Sequence, residues 1–185
     1  MEVKGEAMIS LPIFVIKKFG NKAFLRWLKS LTPEARKVFG SPISKNDWFS
    51  LEEMLSEPTR QICELFYNGS LLGAWECGRF SAEYGLKGIS RVLAKLCSPE
   101  VLIKKGATIL HNYYRPSELV IPDYFSDHVI VHITQFPEIN EYIENRIAGW
   151  MQRATEISGC KHVTINITQS LTKNNPVTEY VIYWR

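Results

Sequence analysis

Apolar residues recur along this chain at two spacings, and one gives way to the other near Pro116. Before that point Phe24, Trp27, Leu28 and Leu31 fall on one helical face, with Lys22, Arg26 and Lys29 on the other. After it Val129, Val131 and Ile133 alternate with His128, Ile130, His132 and Thr134, the two-residue period of a strand. A short strand is predicted over 3–8, and Ser10 and Pro12 start a helix that Gly20 ends. Asn21 caps the Phe24–Leu31 stripe, and Thr32-Pro33-Glu34 begins a third helix closed by Gly40. Residues 41–50 read as a loop whose Ile43, Trp48 and Phe49 must pack against something.

Ser50 and Glu53 have capping-box spacing, Pro58 breaks or kinks the helix they begin, and Asn68-Gly69 end it. Ser70 opens a helix that contains Trp75, Arg79 and two glycines, Gly73 and Gly78, whose helical cost implies a close backbone approach. Gly85 and Gly88 bracket a turn before an apolar segment at 89–96, and Ser98-Pro99-Glu100 caps a helix through Ile109 and Leu110. Beyond the strands, Pro137 is expected to begin a late helix with Ile139, Ile143, Ile147, Trp150 and Ala154 along one stripe. Glu138, Glu141, Glu144 and Arg153 lie opposite, and Gly159 is the stop. Val163, Ile165 and Ile167, the turn Lys173-Asn174-Asn175-Pro176 and a last strand at 177–184 form a closing hairpin. The predicted class is α+β: an N-terminal helical layer packed on an antiparallel sheet, with a late helix between strands. The chain reads as a single domain, 1–185, mainly helical over 1–115 and strand-strand-helix-hairpin over 116–185.

Composition narrows the function classes. At 185 residues, 45% hydrophobic and 22% charged, the chain can bury enough surface to need no disulfide. Cys63, Cys77, Cys97 and Cys160 are widely spaced, without a CxxC pair, and read as reduced thiols of a cytoplasmic protein. No stretch approaches the ~20 apolar residues of a membrane span, and the first residues do not form a signal peptide. The net charge of +3 is concentrated in the first 45 residues, on the solvated faces of helices; with no recognition motif, nucleic acid is not an expected partner. His128 and His132 lie on one face of a strand but roughly 13 Å apart, too far to share a metal. With no GxSxG, HExxH, P-loop or dinucleotide fingerprint, the chain offers no catalytic residues and is read as a non-enzyme.

The candidate site is the seam where helix becomes sheet, His111-Asn112-Tyr113-Tyr114-Arg115-Pro116. Adjacent tyrosines on a helix point about 100° apart, so one can face the core while the other meets a cavity. Arg115 offers a planar fork for a carboxylate, or else pairs with Glu118 or a carbonyl. His111 is a possible proton carrier or a residue favoured by the helix C-terminus.

These residues, followed by strand 118–121, strand 129–134, Phe136-Pro137, the Ile147-Ala148-Gly149-Trp150 helix and a hairpin with Glu179-Tyr180, resemble the 4-vinyl-reductase-like ligand-binding domains. Those are related in fold to the haem-nitric-oxide/oxygen-binding sensors, and Trp48 with the Leu72–Arg79 segment is similar to an uncharacterised, myxobacterial branch of the group. The resemblance implies a bacterial sensory or signal-transduction domain with a ligand pocket between helices and sheet. Ser170 and Thr178 stand where many such domains carry a cysteine on each hairpin strand. Lys104 or Lys105 stands where the haem-binding relatives place their ligating histidine, and their Tyr-x-Ser-x-Arg motif is absent, so no metal site and no haem or other cofactor is expected. The expected ligand is a small apolar or carboxylate-bearing molecule, with Trp75, Arg79, His111, Tyr113, Tyr114, Arg115 and Trp150 as candidate binding residues. The alternatives are an interaction or homodimerisation module with a filled core, and a haem-based gas sensor.

Overall fold

The computed structural model describes residues 1–86 and 108–185. The chain opens with β1 (Glu2–Lys4), and helices α1 (Gly5–Met8), α2 (Ser10–Phe19), α3 (Asn21–Ser30) and α4 (Pro33–Phe39) follow. Gly20 takes a φ of 87°, which lets α2 stop and α3 turn back. The α3 stripe packs inward as its spacing requires: Trp27 is fully buried, and its indole Nε1 donates to the Pro58 carbonyl at 3.0 Å. The strand expected over 3–8 is only three residues long, because α1 begins at Gly5.

Part of the loop expected at 41–50 is strand β2 (Trp48–Ser50), which pairs antiparallel with β1. β3 (Tyr114–Arg115) pairs on the other side of β1 and completes a small sheet of order β2-β1-β3. A π-helical stretch (Glu52–Ser56) leads without a break into α5 (Glu57–Tyr67), and Pro58, expected to break or kink the helix, stands just past their junction. α6 (Leu72–Gly85) follows. The turn at Gly88, the apolar segment 89–96, Cys97, the cap at Ser98-Pro99-Glu100 and Lys104 and Lys105 lie outside the described residues.

The second sheet is built from β4 (Glu118–Tyr124), β5 (His128–Gln135), β6 (Thr164–Gln169) and β7 (Thr178–Tyr183) in the order β4-β5-β7-β6, every neighbour antiparallel. Register places Val131 opposite Tyr180 and His132 opposite Glu179. Val129, Val131 and Ile133 are buried on one face, while the His132 ring and the Glu179 carboxylate meet at 2.7 Å on the other. The late helix, α7 (Glu141–Ile157), starts four residues after Pro137, because Asn140 supplies the cap: its side chain accepts from Ile143 N at 3.0 Å.

α7 packs on the sheet with Ile143 and Ile147 and crosses α6 at a very short separation. A Cβ on Gly78 would stand 1.9 Å from the Arg146 carbonyl oxygen, and one on Gly149 2.0 Å from that of Trp75. Hydrogen alone fits at both positions, which is the compensation for placing glycine inside helices. Among the described residues, no helix is long and apolar enough to cross a membrane.

Candidate functional site

Where α6 and α7 diverge from their crossing, a cavity of about 220 Å³ opens between the helices and the sheet. Ala7 and Ile9 close one end, Gly78 and Ser81 of α6 one side, and Leu119, Val131 and Ile182 the sheet face. Ile109, Leu110 and Tyr113 come from the helical residues 108–113, and Arg146, Ile147, Trp150 and Met151 from α7. Glu6 and Lys45, both exposed, border it as well. Most of the wall is apolar, as a small-molecule site requires.

Of the seven residues singled out in the sequence, Tyr113, Tyr114 and Trp150 border this cavity. Burial raises the pKa of both tyrosines, so both are neutral phenols; for Tyr114 the nearby Arg146 charge offsets part of that rise. The other four residues stand elsewhere. Trp75 Nε1 donates to Gln152 Oε1 at 2.9 Å, and Arg79 donates to the same oxygen at 2.6 Å and to both Glu156 oxygens at 2.9 and 3.0 Å. Arg115 is bonded to Glu2 at 2.7 Å rather than to Glu118, and its guanidinium lies 3.9 Å above the Trp48 ring. His111 is exposed, with Nδ1 3.3 Å from the Ser117 carbonyl.

Two charged residues of α7 were missed, and both are buried. Glu144, placed by periodicity on the outer face, is 3% exposed because the hairpin folds over it. Ser170 Oγ lies 2.8 Å from both of its carboxylate oxygens, and Thr178 Oγ1 donates to Oε1 at 2.5 Å. The two positions at which the resembling domains carry cysteines thus form a hydroxyl clamp on a carboxylate.

Arg146 is 2% exposed and less well served. Its Nη2 donates to the Ala7 carbonyl at 2.9 Å and reaches Ser10 Oγ at a weak 3.5 Å, while Nη1 is buried without a hydrogen-bond partner among the described residues. An orphaned buried donor costs about 1–3 kcal/mol, and more when it carries charge. Arg146 follows Ile143 by three residues and precedes Gly149 by three, so it flanks the apolar stripe; an arginine in that place is the signal that could have marked it.

The cysteine chemistry is quiet. Burial pushes the Cys63 thiol up to about 11 and the Cys77 thiol to about 12, so neither is a thiolate near neutral pH. Among the described residues, no three His, Cys, Asp or Glu side chains are grouped as a metal site would need.

The architecture is that of the H-NOX proteins, the haem-nitric-oxide/oxygen-binding group. An H-NOX protein from S. oneidensis solved in its Fe(II)NO state superposes with a TM-score of 0.76 at 12% identity, over 98% of this chain and 99% of that one. The Fe(II) unliganded H-NOX protein from K. algicida gives 0.69 at 10% identity, covering 98% and 96%. The IWP-051-bound H-NOX from Shewanella woodyi, in its Fe(II)CO state, gives 0.67 at 13%, covering 97% and 93%. At these identities the likeness is one of fold; the sequence matches no family model and no curated protein.

This finding corrects the expectation that no cofactor is involved. These three solved structures are Fe(II) H-NOX proteins in unliganded, NO and CO states, and haem is the group to which they point. Position in the sequence misled here because the expectation rested on a missing ligand histidine and a missing motif, neither of which governs whether the fold forms. Of the cavity's described lining, Arg146 is the buried cation that could hold a haem carboxylate. None of the four histidines borders the cavity, so no imidazole of the described wall could ligate an iron, while the phenols of Tyr113 and Tyr114 do line it.

Proposed function

We propose that this chain is a non-enzymatic sensory domain that binds a small, largely apolar molecule in the cavity between its helices and its sheet. The observation that carries this reading is the cavity itself, at the junction where α6, α7 and the sheet meet, with Tyr113, Tyr114 and Trp150 in its wall. A ligand there touches both helices of the α6–α7 crossing, so its arrival and departure can alter how helices and sheet pack, which is what a sensory domain must convert into a signal. Haem, the group carried by proteins of this fold, belongs to the class of molecule proposed.

The test is to purify the chain in mild buffer and examine it by native mass spectrometry and by absorption. Thermal unfolding is then followed with haemin and with apolar acids. The expected result is a retained mass or a ligand-induced rise in Tm, with a Soret band marking haem as the retained molecule. No retained mass, no Soret band and no change in Tm with any of these compounds would overturn the reading.

A further inference from the structure

We infer that Arg146 is the anchor of the cavity, and that the ligand is an apolar molecule carrying a carboxylate which Arg146 Nη1 binds. This deepens the proposed function and rests on it. Three observations converge. The guanidinium is 2% exposed, so water does not neutralise its charge, and buried charges are ordinarily paired. Its Nη2 is fixed on the Ala7 carbonyl at 2.9 Å, which holds the plane of the fork; Tyr114 lies close to the guanidinium, and Nη1 has no hydrogen-bond partner of good geometry among the described residues. Arg146 also borders the apolar cavity, beside the neutral phenol of Tyr114.

Among the described residues, the other charged groups bordering the cavity are Glu6 and Lys45, and both are exposed. Neither pairs with Arg146 among the described contacts. The nearest buried carboxylate on the same helix, Glu144, is held by the Ser170 and Thr178 hydroxyls. A carboxylate entering the cavity therefore meets one desolvated cation with a free donor, and a second donor within reach in Tyr114. Such charge-assisted bonds are short and directional, and an ester of the same molecule cannot supply the anion. An apolar tail is then left for Ile147, Met151, Leu119 and Val131.

The experiment compares two acids with their esters: haemin against haemin dimethyl ester, read by absorption, and decanoate against methyl decanoate, read by calorimetry. The haemin arm and the decanoate arm distinguish a haem propionate from a free apolar acid as the source of the carboxylate. At least one acid is expected to bind about tenfold to a hundredfold more tightly than its ester, the ratio a charge-assisted hydrogen bond supports. Arg146→Met is expected to abolish that preference while ester binding persists, and Arg146→Lys to retain part of it. Circular dichroism checks that each variant folds, and the acid-to-ester ratio of the unaltered protein stands as a test if one does not. Equal binding of acid and ester overturns the anchor but leaves the cavity reading intact. Absence of binding by all four compounds overturns both.

Discussion

Glu144 and Arg146 sit two residues apart on one helix, both almost wholly buried, and the molecule treats them in opposite ways. Glu144 is enclosed by the closing hairpin and receives hydroxyls from Ser170 and Thr178, with a longer approach from Thr172 at 3.5 Å. Arg146 faces away from the hairpin, toward α1 and the cavity, and among the described residues it has one firm hydrogen bond and no partner for Nη1. A buried charge that serves the fold is satisfied within the fold. One that is left open beside a cavity, with no partner for Nη1 among the described residues, is the group on which the proposed ligand would be held. A single helix can carry both because successive side chains point about 100° apart, so positions 144 and 146 address different sides, the hairpin and the proposed ligand cavity.

The contrast can be broken most forcefully at the satisfied end. Glu144→Leu removes two good hydrogen bonds to a carboxylate and strands two buried hydroxyls, and stability measured by urea unfolding is expected to fall by about 3 kcal/mol or more. Gly78→Ala acts on the backbone that carries Arg146; since the added Cβ would lie 1.9 Å from the Arg146 carbonyl, α6 and α7 must separate, at an expected cost of about 2–3 kcal/mol in thermal unfolding. Arg146→Met should differ from both: it loses the bond to Ala7 but also removes an uncompensated charge, so stability is expected to change by no more than about 1 kcal/mol. A loss as large as that of Glu144→Leu would place Arg146 with the structural charges.

The smallest effect belongs to a third kind of charge, half-exposed and paired. Burial raises the Glu156 pKa, and bonds from Arg79 and Arg153 more than offset this, leaving it below its ordinary 4.5. A carboxylate shifted down contributes stability that is fully present above 4.5 and disappears as pH falls through the lower, folded-state value. Glu156→Gln is expected to flatten stability against pH in that acidic window and to cost less than about 1 kcal/mol at neutral pH, measured by denaturation at a series of pH values.

Most of the fold was legible because it rests on long periodic segments. The Val129–Ile133 alternation, the Ile143–Trp150 stripe and the hairpin turn each carry several residues of one period, and each formed where expected. The small sheet was not legible: β1, β2 and β3 have two or three residues apiece, too few for a two-residue period to register, and their pairing joins segments more than 40 residues apart. Of the site, the aromatic part could be read from the seam, because Tyr113 ends the helical segment at 108–113 and Tyr114 begins β3, so the pair stands where helix gives way to sheet. The charged part could not. Glu144 and Arg146 look like ordinary surface residues of an amphipathic helix, and only the hairpin folding over one and α1 closing over the other turn them into buried groups. Arg115, the guanidinium chosen from the sequence, was drawn instead to Glu2 and Trp48 by a strand pairing that no local pattern announces.

The most direct test of the account is a crystal structure of the protein with whichever acid binds, haemin or decanoate. The expected result is a carboxylate oxygen about 2.7–2.9 Å from Arg146 Nη1, with the apolar part of the molecule against Ile147 and Val131. An acid bound in the cavity with its carboxylate directed away from Arg146, toward Lys45 or solvent, would contradict it.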